Sequence, residues 1–228
     1  MKDLSSTLNI NELTEYLFQQ LEMFFPDHQN SKADLYKIVD RAYQRVIFCF
    51  QHLKGKYYSD ETKVYFNHLN GDQYCMFLYF VSREAFLMDS EIFYLKLSLL
   101  NKHLFSIDLF GHIEMPDIFQ LVHPLGTIIG RANFSNYLVI YQGVTIGGVH
   151  SATGIDYPVI GEKVVCFSNC SIIGKAFIEN NTVIGANTTI VGGRFNSGST
   201  ILGNYPKNVI LQNDSRIFQE LFFDSSLS

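Results

Sequence analysis

Every sixth residue from Val122 is aliphatic or aromatic: Ile128, Phe134, Ile140 and Ile146, then after one interruption Ile160, Cys166, Ile172, Ile178, Ile184, Ile190, Asn196 and Leu202. Asn196 alone among these thirteen positions is polar. Four residues after each of them stand mostly small residues: Gly126, Ala132, Leu138, Val144, Val164, Cys170, Ala176, Thr182, Thr188, Arg194 and Thr200. A period of six serves neither a 3.6-residue helix nor a flat strand of period two. It suits a triangular coil of short parallel strands, three hexads to a turn, with the large residue filling the interior and the small one easing each bend.

The interruption is informative in itself. Ile146 to Ile160 is a spacing of 14 where 6 is expected, so 8 extra residues must leave the coil, in an extruded loop that lies between Val149 and Tyr157. Loops carried on rigid scaffolds often carry function. The hexads also account for Cys166 and Cys170, whose spacing of four otherwise invites a metal reading: both point inward as the large and small occupants of one hexad. With Cys49 and Cys75 they make four scattered cysteines, too few to form a disulfide framework and without a second metal-ligand pair.

Residues 1–114 carry a different period. Leu13, Tyr16, Leu17, Leu21 and Phe24, and again Leu35, Ile38, Val39, Ala42, Val46 and Phe50, recur every three or four residues, which predicts amphipathic helices. Asp72 is positioned to cap a further helix through Met76, Phe80 and Phe86, and an apolar run from Ile92 to Leu100 continues toward His103. Gly111 and Pro116 end the pattern. The expected class is α+β: a helical domain over 1–114, a parallel β-helix with one extruded loop over 115–210, and over 211–228 a tail or short helix built on Ile217, Phe218, Leu221 and Phe222. Residues 225–228 read as a loose end.

Composition narrows the function. A 228-residue chain that is 47% hydrophobic and 17% charged, with net charge −5, is neither a disordered tail nor a basic nucleic-acid binder. The apolar run from Tyr74 to Val81 falls far short of the roughly 20 residues that cross a bilayer. The N-terminus lacks the basic-then-apolar order of a signal peptide, so a cytoplasmic location is expected. No P-loop or dinucleotide-binding glycine fingerprint is present.

The hexads, the extruded loop and the closing Gly203-Asn204-Tyr205-Pro206-Lys207 resemble the hexapeptide-repeat acyltransferases over roughly residues 115–210. Within that superfamily, the helical half, Leu100-Asn101-Lys102-His103 with Ile107-Asp108, His123-Pro124 and Thr145-Ile146-Gly147-Gly148 resemble serine O-acetyltransferases and the sugar O-acetyltransferases of polysaccharide gene clusters. The resemblance implies that the coil over 115–210 is a left-handed parallel β-helix, assembled as a homotrimer with acetyl-coenzyme A lying in the groove between neighbouring subunits. The serine enzymes' Asp-His-Ala-Thr-Gly segment would fall at Ala132-Asn133-Phe134-Ser135-Asn136 and is absent. Tyr157 before Pro158 stands where those enzymes carry a second histidine. A loop opened by His150 and closed by Tyr157-Pro158 instead resembles that of xenobiotic acetyltransferases.

Acetyl transfer from a thioester to an alcohol needs a base for the hydroxyl proton, and imidazole, titrating near pH ~6.5, suits that role at neutral pH. Of seven histidines, His28, His52, His68, His103 and His112 read as surface or packing residues of the helical half and its exit. The candidates are His150, in the loop, and His123, expected to point outward one turn below Tyr141. Asp156 is a candidate to orient a histidine and Tyr157 to donate to the substrate. Backbone N–H groups near Gly147 or Gly148 are candidates for the developing oxyanion. For the coenzyme the candidates are Gly147, Gly148, Gly192, Gly193, Arg194 and Lys207, Lys207 because it resembles the basic residue of the family's closing motif, and positive charge there suits phosphates. The expected activity is acetylation of a hydroxyl on a sugar or surface polysaccharide, with a glycan as acceptor. The alternatives are a divergent serine O-acetyltransferase and a catalytically silent trimeric scaffold.

Overall fold

The computed structural model describes residues 2–152, 154–214 and 216–223. The chain divides into two compact units, Met1–Ile113 and Glu114–Ser228.

The first unit runs through strand β1 (Asp3–Ser6), helices α1 (Ile10–Phe24) and α2 (Lys32–Phe50), strand β2 (Lys63–Phe66), and helices α3 (Gly71–Leu87) and α4 (Glu91–Phe105). From Gln73 to Ala85 every residue of α3 is buried, so it lacks a polar face and forms the centre of the unit. Helices α2 and α4 pack on it, and α1 packs on α2. Two expectations are corrected here. The half is not wholly helical, because β1 and β2 form a parallel pair; all four residues of β1 are exposed, so no alternating pattern marked it. Asn70, rather than Asp72, caps α3. Its Oδ1 accepts from the backbone N–H groups of Asp72 at 3.1 Å and Gln73 at 3.3 Å, while Asp72 sits in the first turn, where a carboxylate suits the helix dipole.

The histidines of this unit have structural partners. His68 bonds the Thr7 hydroxyl at 2.8 Å and His112 the Tyr94 hydroxyl at 3.0 Å, while Nδ1 of His103 reaches the Leu99 carbonyl at 2.7 Å. His52 bonds the Phe48 carbonyl at 2.8 Å, and His28 lies 3.8 Å from Glu22 on the surface.

The second unit is a parallel coil. Strands β3 (Phe119–Val122), β4 (Ile128–Ile129) and β5 (Asn133–Phe134) form its first turn. The second contains β6 (Leu138–Tyr141), β7 (Thr145–Gly147), an extruded pair β8 (Val149–Ser151) and β9 (Gly154–Asp156), and β10 (Val159–Ile160). Strands β11 (Val164–Cys166) and β12 (Ser171–Ile178) form the third turn, and β13 (Thr182–Ile184) and β14 (Thr189–Phe195) the fourth. β12 and β14 each turn a corner and serve two faces. Strand β15 (Ser199–Leu202) opens a further turn, which the antiparallel β16 (Val209–Gln212) closes before helix α5 (Arg216–Leu221). Phe218 and Phe222 are buried, and the Phe222 ring meets Tyr137 edge-on at 5.2 Å, so the predicted terminal helix does pack on the coil. Residues 225–228, expected as a loose end, lie outside the described residues.

Strand pairing lines the interior with three ladders. They are Leu121, Ile140, Cys166, Ile184 and Ile201; Ile129, Ile146, Ile172 and Ile190; and Phe134, Ile160, Ile178 and Phe195. The hexad ruler is right in the middle and one residue out near both ends. Leu121 and Ile129 replace Val122 and Ile128, the latter being 49% exposed, because the chain passes through an irregular corner at His123-Pro124. Phe195 and Ile201 replace Asn196 and Leu202, because β14 is one residue short of β12: Ile173 faces Val191, but Ala176 faces Gly193. The single polar exception in the repeat is therefore a slipped register rather than a buried asparagine. The same slip buries Ser199 in the slot assigned to Thr200 and turns Arg194 outward.

Corners of the coil use the left-handed backbone. Tyr137, Lys163 and Asn181 occupy one corner at φ of 65°, 55° and 55°, and Asn169 and Asn187 another at 59° and 57°. Asn169 Nδ2 donates to Asn187 Oδ1 at 3.3 Å, joining consecutive turns. Asparagine tolerates this region better than lysine. Lys163→Asn is expected to raise stability by about 0.5–1 kcal/mol, read as a higher denaturation midpoint at unchanged slope.

Candidate active site

The extruded segment is an ordered hairpin. Val149 pairs with Asp156, His150 with Ile155 and Ser151 with Gly154, antiparallel. Opposed residues of such a pair share a side, and successive residues alternate. His150 and Ile155 therefore stand on one side with Tyr157, and Val149 and Asp156 on the other. The pleat thus separates Asp156, a candidate to orient a histidine, from His150, and among the described residues no hydrogen bond joins the two. His150 is exposed, next to Ile155 at 45% and Tyr157 at 36% exposure.

Glycines seat the hairpin on the coil. A Cβ on Gly148 would lie 2.7 Å from both Ile155 Cγ2 and Tyr157 Cδ1, and one on Gly174 of β12 would lie 2.7 Å from Val149 Cγ1. Side chains of the hairpin thus crowd the Cβ side of Gly148, while the residue itself stays exposed. Gly147 differs. Nothing lies within 4 Å of where its Cβ would be, and along the face it is followed by Ile173 and then, one turn further, by Val191. Gly147 is half-buried and Gly148 exposed, so the main chain of the pair is open to a substrate.

His123 is exposed at the irregular corner of the first turn, with φ of 48°. Its stacking differs from expectation, since Tyr141 pairs with Val122 because of the slip already described. Tyr141 instead lies against Phe167 at 5.0 Å, and burial raises its phenol's pKa.

The remaining residues read as coenzyme ligands lie in three places. Gly192 and Gly193, at φ of 64° and 91°, form the irregular corner that absorbs the β12–β14 mismatch. Arg194 projects outward, but its guanidinium bonds Glu179 at 2.6 Å and lies 5.2 Å from the Phe177 ring centre. This hydrogen bond, with one from the Ser197 N–H, holds the Glu179 carboxyl below its ordinary pKa, so the Arg194 charge is already compensated. The pair lines a shallow groove of about 340 Å³ with Val159, Phe177 and Ser197. Lys207 is exposed beyond the Tyr205–Pro206 turn and has no ion pair among the described residues. Neither Glu179 nor Gly174 was singled out from sequence. Gly174 is one glycine between hexads, and the Glu179–Arg194 pair joins residues brought together by adjacent turns.

Cys166 and Cys170 are fully buried inside the coil, and the hydrogen bond between them is the first cause raising the Cys166 pKa well above that of a free thiol. Among the described residues no group of three or more His, Cys, Asp or Glu side chains is arranged to hold a metal, and no helix is long and apolar enough to cross a membrane.

No family model matches the chain. A serine acetyltransferase of Staphylococcus epidermidis is 34% identical over 96 residues, which is 42% of this chain and 44% of that protein. The matched stretch thus spans less than half the length of this relative. The crystal structure of serine acetyltransferase from Neisseria gonorrhoeae superposes with a TM-score of 0.66 at 16% identity, covering 97% of this chain and 86% of that one. The fold is that of the hexapeptide-repeat acyltransferases. A second member of this fold, serine acetyltransferase from Brucella abortus in complex with coenzyme A, superposes with a TM-score of 0.65 at 14% identity, covering 91% of this chain and 83% of that one. In hexapeptide-repeat acyltransferases the coil is left-handed, as the family resemblance implied.

Proposed function

We propose that this chain is an acetyl-coenzyme A-dependent O-acetyltransferase of the serine acetyltransferase kind, with His150 as its general base. The supporting observation is the 34% identity to a serine acetyltransferase, combined with an imidazole standing exposed on the one hairpin that leaves the coil. In the reaction the acceptor hydroxyl gives its proton to the imidazole as its oxygen bonds the thioester carbonyl carbon. The carbon–sulfur bond then breaks, and the departing thiolate recovers the proton. Exposed Val191 and the open main chain at Gly147 suit the narrow apolar arm of the donor, and Lys207 offers a cation to its phosphates. A neighbouring copy would complete the pocket, so a homotrimer in solution belongs to the proposal.

The similarity to serine acetyltransferases favours a small amino-acid hydroxyl over the polysaccharide acceptor expected from sequence. The sugar reading keeps one specific support: Asn133 and Phe134 stand where the serine enzymes carry their catalytic segment, and Tyr157 replaces their second histidine. Following free thiol release from acetyl-coenzyme A separates the two. Stimulation by free serine is the expected result. Stimulation by monosaccharides or oligosaccharides alone would transfer the assignment to sugars, and no coenzyme binding by calorimetry would leave only a scaffold.

A further inference from the structure

We infer that Gly174 is a positioning residue: its missing side chain is the socket that receives Val149 and thereby sets where the hairpin holds His150. The inference rests on the reading of His150 as the base. Side chains of the hairpin pack it onto the coil. Ile155 and Tyr157 fold over Gly148 within the segment itself, and Val149, though 43% exposed, reaches across to another turn at Gly174 of β12. His150 follows Val149 directly and faces the opposite way, so a push on Val149 from beneath is passed to the imidazole by the stiff pairing of β8 with β9.

The coordinates specify how to fill and refill the socket. A Cβ at residue 174 would lie 2.7 Å from Val149 Cγ1, a distance real atoms do not tolerate, yet 3.6 Å from Val149 Cβ, which is ordinary contact. Gly174→Ala should therefore lift the hairpin, and Gly174→Ala combined with Val149→Ala should let it settle again. The methyl lost at residue 149 makes room for the one gained at 174. Residue 174 has φ of 69°, which strains any L-residue, but that strain is the same in both variants and cancels in the comparison.

Hydrogen exchange of the β8 and β9 amides and steady-state kinetics test the inference together. In Gly174→Ala, faster exchange in the hairpin and a kcat lowered by about 10-fold or more with KM changed less are expected, since small misplacements of a catalytic group are costly. In the double variant both should recover by at least about 3-fold relative to Gly174→Ala, the backbone strain at 174 being common to the two. Unchanged exchange in Gly174→Ala would overturn the socket. Faster exchange with undiminished kcat, in a protein that His150→Ala inactivates, would overturn the positioning role, as would a double variant no better than the single one. Full activity of His150→Ala would instead remove the underlying reading of the base, and the exchange data would still report on the socket.

Discussion

His150→Ala is expected to lower kcat by about 10²–10⁴-fold, the usual contribution of a positioned proton acceptor, and to leave thermal stability unchanged. The two halves of this expectation have separate causes. A neutral hydroxyl attacks a thioester poorly unless its proton is removed as the bond forms, so loss of the acceptor raises the barrier directly. The side chain is exposed on a hairpin outside the coil and contributes nothing to the interior ladders, so its removal opens no cavity. His150→Gln keeps hydrogen-bonding capacity without basicity at neutral pH and should be nearly as inactive. The measurements are thiol release under saturating acetyl-coenzyme A and a melting curve. Undiminished turnover in His150→Ala, with loss of turnover in His123→Ala, would move the base to the corner of the first turn.

Phe195→Ala is expected to cost about 3–5 kcal/mol of stability, and Asn196→Ala to lie within about 0.5 kcal/mol of the parent. The six-residue ruler alone implies the reverse assignment, with residue 196 inside the coil. The structure stacks Phe195 on Ile178 in the third ladder and leaves it only 8% exposed, whereas Asn196 is exposed. Removing the ring strips one ladder of its terminal member and leaves a void over Ile178 that β14, held in register by its pairing with β12, cannot collapse to fill. Chemical denaturation of both variants, compared at equal slope, reads the difference. Comparable losses, or a larger one for Asn196→Ala, would restore the unslipped frame.

These two experiments mark where reading the chain by period succeeds. From Ile140 to Ile190 the six-residue frame names the interior residues of every turn, because each strand is short, each corner recurs, and an aliphatic side chain has no alternative place to go. The break in that frame located the extruded segment, and a histidine inside it was legible by type and position. The ends were not, because one-residue slips at His123-Pro124 and at Gly192-Gly193 leave the composition unchanged while exchanging inside for outside. The pair β1–β2 escaped for a related reason, being short and exposed along the whole of β1.

The site shows the same division. Local order along the chain is enough to establish a coil of hexads, one protruding loop and an imidazole upon it, since these follow from period and from the residues next to one another. Three-dimensional packing alone turns Asp156 away from His150, crowds the Cβ side of Gly148, joins Arg194 to Glu179 and seats Val149 against Gly174. Each of these depends on the pleat of a hairpin or on residues that meet only because one turn of the coil lies on the next. Contacts of that kind arise from register, and register is a property of the folded stack.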